Sequence, residues 1–143
     1  MLWVLGCLLL GACAQNKAYT LAAEIQPDGT AIVVKGSTNL PDKALILVSW
    51  LQPAKDQQPE EIVVQEFALA EAGSFEARLE PLQPVAPGPY QLRMRFSAGS
   101  YDPSGGSVKA EVGERGENLG GPLVVEDADG RMLLNLIDWN YQP

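Results

Sequence analysis

Apolar and polar residues alternate with a period of two along most of this chain, which is the pattern of strands with one buried face. In Phe75-Glu76-Ala77-Arg78-Leu79 the odd positions are apolar and the even ones charged. Across residues 90–96, Tyr90, Leu92, Met94 and Phe96 share one side, while Gln91, Arg93 and Arg95 share the other. Residues 108–112 repeat the pattern on a smaller scale with Lys109 and Glu111 outward, and read as another strand. Residues 19–25 and 30–35 flank Gln26-Pro27-Asp28-Gly29, a hairpin signal with Asp-Gly at its tip. Residues 44–51 and 62–69 are denser apolar runs, and the first predicts a strand buried on both faces. A last hairpin spans residues 123–126 and 132–139 around Asp127-Ala128-Asp129-Gly130.

No segment carries a capped 3.6-residue stripe, so no helix is expected. The 11 prolines and 14 glycines fall mainly between the runs, where β turns require them. The fold class predicted is all-β, an antiparallel sandwich of about seven to nine strands. Trp50 suits the core between the sheets, and Trp139 either the core or the surface.

Three stretches carry a family resemblance. Lys35-Gly36-Ser37-Thr38-Asn39-Leu40-Pro41-Asp42, leading into the run at Leu45, is similar to immunoglobulin-like domains of bacterial surface and periplasmic proteins. Gly73-Ser74-Phe75 to Leu79, then Pro87-Gly88-Pro89-Tyr90 to Phe96, resembles the G-x-F … P-G-x-Y-x-L signature of immunoglobulin-like and transthyretin-like accessory domains. The resemblance implies a non-catalytic module for scaffolding, adhesion or display. It transfers no functional residue, because fold does not fix activity.

The first twelve residues are uncharged and mostly apolar, and they end in Leu10-Gly11-Ala12-Cys13. A run this short reads as a secretion signal rather than a spanning helix, which needs about 20 apolar residues. Its end resembles a bacterial lipobox, which implies cleavage before Cys13 and acylation, palmitate included, of that cysteine. No Lys or Arg precedes Lys17, so the basic start of such a signal is expected upstream of Met1. The competing reading makes residues 1–13 a buried strand with Cys7 and Cys13 as core cysteines. The expected organisation is signal segment 1–12, lipidated Cys13 and tether 13–18, and one sandwich domain over 19–143. Five extended residues reach at most about 17 Å, which keeps the domain close to the bilayer. Ala14 is not the Asp that commonly retains lipoproteins in an inner membrane. The expected location is the outer membrane of a diderm, or the outer face of a monoderm's cytoplasmic membrane.

Composition narrows the chemistry. The net charge is −8 with no cluster of Lys or Arg, which argues against nucleic acid and against anionic lipid as partners. There is no His, and Cys13 is the one cysteine left after cleavage, so histidine- and thiol-based catalysis lacks its residues. No glycine-rich loop opens a helix, and no cofactor is expected. Asp127 and Asp129 resemble the start of a calcium loop but lack its closing Glu, so they stand as a weak metal candidate beside the plainer reading of a hairpin turn. The loop containing Tyr101 and Asp102 is the candidate recognition loop, an aromatic in a Gly/Ser-rich setting. Residues 113–122 are a second, flexible and charged. Arg78, Arg93 and Arg95 are expected either to form an outward basic stripe or to pair with Glu76 or Glu80.

The function expected is a membrane-anchored, non-catalytic envelope lipoprotein whose domain contacts a neighbouring envelope protein through a sheet edge or the Tyr101 loop. The alternative is a carbohydrate- or small-ligand-binding accessory domain, with Tyr101, Trp139 and Tyr141 as aromatic candidates. An envelope hydrolase comes third.

Overall fold

The computed structural model describes residues 16–99 and 101–143, so Cys7, Cys13 and the lipobox lie outside the described residues. Eight strands and one short helix follow in chain order: β1 Leu21–Asp28, β2 Ala31–Thr38, β3 Leu45–Gln52, β4 Glu61–Leu69, β5 Ser74–Leu79, β6 Gly88–Ser97, α1 Ser107–Val112, β7 Val124–Asp127 and β8 Gly130–Tyr141. They form two antiparallel sheets, β1-β2-β5 and β4-β3-β6-β8-β7, so the chain is an all-β sandwich. The fourth strand pairs with the third instead of closing the first sheet, where a constant-type immunoglobulin arrangement would place it.

Turn chemistry matches the strand ends. Gly29 (φ 63°) occupies the first of two positions between Asp28 and Ala31, the place a type II′ turn reserves for glycine. Between Glu71 and Ser74, Ala72 (φ 48°) and Gly73 (φ 81°) are both left-handed, as a type I′ turn requires. Pro27 sits within β1, an edge strand, where a missing N–H is tolerated.

Between the sheets the alternation of the sequence becomes burial. Ile32 and Val34 from β2 and Phe75, Ala77 and Leu79 from β5 face Ile46, Val48 and Trp50 from β3 and Leu92, Met94 and Phe96 from β6. Gly36 lies opposite Phe75, whose ring occupies the space a Cβ would need. Trp50, fully buried, anchors an aromatic group with Tyr90, Trp139 and Tyr141, at centroid separations of 5.6, 5.2 and 4.9 Å. T-shaped contacts to Tyr90 and Tyr141 set ring edges against faces. The Tyr90 hydroxyl donates to the Ala86 carbonyl at 2.7 Å and so pins the crossover into β6.

One sequence expectation is corrected. Residues 108–112 are helix, not strand. Val108 and Val112 are its buried positions, and a spacing of four fits a helical face as well as a strand face. Ser104 supplies the start signal, its hydroxyl accepting from the Val108 N–H at 3.0 Å in place of a cap at Gly106. Residues 44–51 are largely buried on both faces as expected, Ile46, Val48 and Trp50 inward and Ser49 and Leu51 outward, whereas no described residue covers the outer side of β4. Leu45 and Leu47 are half-buried, and Ile62, Phe67 and Leu69 are exposed because β4 is an edge strand.

Truncating Trp50 removes the centre of the aromatic group and leaves a cavity under three other rings. Trp50→Ala is expected to lower unfolding stability by about 3–5 kcal/mol, measured by urea titration followed by circular dichroism.

Candidate functional site

The N-terminus, α1 and both candidate loops gather at one end of the sandwich, with the turns after β2, β4 and β6. The β1–β2 turn, the β3–β4 and β5–β6 connections and the C-terminus lie at the other. Chain entry is fixed by hydrogen bonds. Asn16 donates through Nδ2 to the carbonyls of Glu117 and Leu119 at 3.1 and 3.4 Å, and the Tyr19 N–H donates to the Gly120 carbonyl at 3.0 Å. Asn16, three residues after Cys13 in sequence, is thus already in contact with the domain, within the span expected to be tether.

Residues 113–121 form a bound strap rather than a flexible loop. Leu119 is fully buried, and Arg131 donates to the carbonyls of Glu117 and Leu119. The Arg131 N–H donates to the Arg115 carbonyl at 2.9 Å. A Cβ at Gly130 would meet that same Arg115 oxygen at 2.1 Å, so only glycine permits the approach. The sequence cue is the density of glycine here, which marks close backbone contact as readily as flexibility.

Tyr101 is 80 % exposed, and Asp102 beside it is half-buried. Asp102 Oδ1 accepts from the Ser104 N–H and hydroxyl, which chains it to the start of α1. The Ser104 hydroxyl, more than any other neighbour, holds the Asp102 carboxyl below its ordinary range. Its Oδ2 is buried with no hydrogen-bond partner. The cavity alongside, lined by Tyr101, Asp102, Val108 and Lys109 among others, measures about 10 Å³. That is room for one water at most, so Asp102 here orders the loop while Tyr101 projects from it.

Asp127 and Asp129 lie at the β7–β8 tip. Asp127 Oδ1 accepts from the Asp129 N–H at 2.8 Å, an Asx turn, and the Arg115 guanidinium takes the carbonyls of Ala128 and Asp129, both at 2.9 Å. Those carbonyls already carry a cation. Among the described residues no group of three or more acidic or thiol side chains converges as a metal site.

The remaining sequence candidates separate. Tyr141 is buried and Trp139 half-buried within the aromatic group, so of the three aromatics proposed for ligand contact only Tyr101 projects into solvent. Arg78 lies on β5, in the other sheet from Arg93 and Arg95, and pairs with Asp28 and Glu80. Arg93 pairs with Glu60 at 2.9 Å. No three-residue basic stripe forms.

What sequence reasoning missed is the outer face of the five-stranded sheet. One cross-strand row runs Phe67–Leu47–Arg95–Leu134, and a second sets Leu45 beside Leu69 and Met132 beside Val125. Phe67 is 60 % exposed, Leu136 46 % and Val125 40 %. The signal for it was the density of apolar residues in 62–69, more than the one buried face of an edge strand uses.

No family model matches the chain, and no curated protein or solved structure matches it.

Two pH responses follow from this end of the molecule. Burial first, and then the Glu111 carboxylate accepting its hydroxyl at 2.9 Å, push the Tyr19 phenol up to about 12. A raised folded pKa adds stability that is complete below the unfolded value and is lost as pH rises through the folded one. Alkaline melts should therefore show stability falling between about 10 and about 12, a loss that Tyr19→Phe removes. Asp102 has the opposite sign: its depressed pKa adds stability above the unfolded carboxylate range that disappears in acid. Asp102→Asn should melt below wild type at neutral pH, with the gap closing as the pH is lowered in paired thermal scans.

Proposed function

We propose that this chain is a non-catalytic, lipid-anchored interaction domain of a bacterial cell envelope, held to the membrane through acylated Cys13 and engaging a neighbouring envelope protein. The observation that carries the reading is the open outer face of the five-stranded sheet, where Phe67, Leu69, Leu136 and Val125 are all at least 40 % exposed. A sheet face of this kind is normally buried against another layer, and contiguous exposed apolar surface marks an interaction site.

The N-terminal contacts support the membrane side of the reading. With Asn16 already bonded to the strap, only Ala14 and Gln15 separate it from Cys13. Anchored there, the domain stands with α1 and Tyr101 toward the bilayer and its strands running away from it. The outer sheet face then points sideways, toward whatever else stands on the same membrane. The net charge of −8 leaves attachment to the acyl chains, because an anionic surface repels the domain.

In-cell crosslinking of tagged wild type beside Cys13→Ala, with fractionation and mass spectrometry, tests both halves. Wild type should sediment with membranes and give a discrete protein adduct. Cys13→Ala should appear in the soluble fraction and lose that adduct. A Cys13→Ala protein that stays with membranes refutes the anchor, and the absence of any wild-type adduct refutes the interaction.

A further inference from the structure

Arg95 is the odd arginine among the described residues. Arg78, Arg93, Arg115 and Arg131 are each engaged by carboxylates or backbone carbonyls. Among the described residues Arg95 has neither a hydrogen bond nor an ion pair, and it is exposed. Its neighbours across the sheet are Leu47 on β3 and Leu134 on β8, with Phe67 one strand further out. An unengaged guanidinium thus stands in the middle of an apolar row.

We propose that this face docks a segment of another envelope protein that presents a carboxylate flanked by apolar side chains, with Arg95 as the central ionic contact and Phe67 as an apolar anchor. The proposal rests on the reading above that the chain is an interaction domain, and it names where and with what. The argument is charge complementarity. Covering Phe67, Leu47 and Leu134 with a purely apolar surface would strand the Arg95 charge without a partner, which is strongly unfavourable. An incoming carboxylate removes that penalty and suits the guanidinium fork. Among the described residues the carboxylates bordering this face, Glu60 and Asp138, are bonded to Arg93 and Gln91 and none is paired with Arg95.

A second copy is the poorer occupant. Two chains of charge −8 repel, and a two-fold centred on the patch sets Arg95 against Arg95. An anionic bilayer is poorer too, since the anchored end holds this face sideways to the membrane and the overall charge opposes approach.

The test places the photo-crosslinking residue p-benzoylphenylalanine at position 67 in the full chain, in the cells that make it, with position 57 in the exposed β3–β4 connection as control. Each is made with Arg95 and with Arg95→Glu, and thermal melts check that the substitutions leave folding unchanged. The expected result is a protein adduct at 67 and none at 57, reduced about tenfold or more by Arg95→Glu. The crosslinked peptide should carry Asp or Glu between apolar residues. An adduct with a second copy of the chain, an adduct only with lipid, an adduct indifferent to Arg95→Glu, or none at 67 overturns the proposal. If 67 gives nothing while general crosslinking still captures a Cys13-dependent partner, the interaction reading stands and only this surface is wrong. Silence in both experiments removes both.

Discussion

A three-stranded sheet cannot cover a five-stranded one, and most of what is particular to this molecule follows from that mismatch. Strands lie about 4.8 Å apart, so two extra strands expose a strip roughly 10 Å wide on the inner side of the larger sheet. Leaving it open would put Leu133 and its neighbours into water. The protein closes it with residues that belong to no sheet. Val108 and Val112 of α1 and Leu119 of the strap are buried in the same core as β2, β5 and β6. Asn135, the polar residue on the inner side of β8, donates at 2.7 Å to the Leu21 carbonyl and so ties the two sheets together along that edge.

This closure explains why the two ends of the sandwich differ. At the C-terminal end, side chains alone suffice: Trp50 and three further rings fill the space, and the Tyr90 hydroxyl ties down the crossover. At the N-terminal end, backbone fills it. The strap lies so close to the β7–β8 hairpin that Gly116 would carry a Cβ 2.4 Å from the Arg131 carbonyl oxygen. The entering chain is bonded to the strap in turn, from Asn16 onward. The same mismatch has a second consequence on the far side, where no described element covers Phe67, Leu47 and Leu134.

Much of the architecture was legible because strand period, turn chemistry and register agree. The alternation at Phe75 to Leu79 and at Tyr90 to Phe96 appears unchanged as burial, and Gly29 and Gly73 sit at turns whose left-handed backbone suits glycine, the first one residue later than the Asp-Gly tip expected. The failures have a common cause. Residues 108–112 follow both a helical and a strand pattern over five positions, too few to separate the two periods. Trp139 and Tyr141 read as surface candidates, yet their place on β8 turns both toward Trp50. The dense run at 44–51 is buried on both faces as expected, but the one at 62–69 falls on an edge strand, and composition does not say which run takes the centre of a sheet. Of the candidate site residues, Tyr101 projects as expected. Asp102 and Asp127 accept hydrogen bonds within their own loops, and Asp129 takes part through its backbone.

Local chemistry, by itself, determined the strands, the turns between them and the class of fold, because these depend on neighbours within a few positions. It also settled which side chains exist for catalysis, since the chain contains no His and two Cys. Which strands share a sheet, which helix and strap close the narrower side, and which arginine is left unengaged were decided only by tertiary structure. Those depend on pairings between residues far apart in the chain, such as Asn16 with Glu117 and Arg95 with Leu47, that no local period encodes.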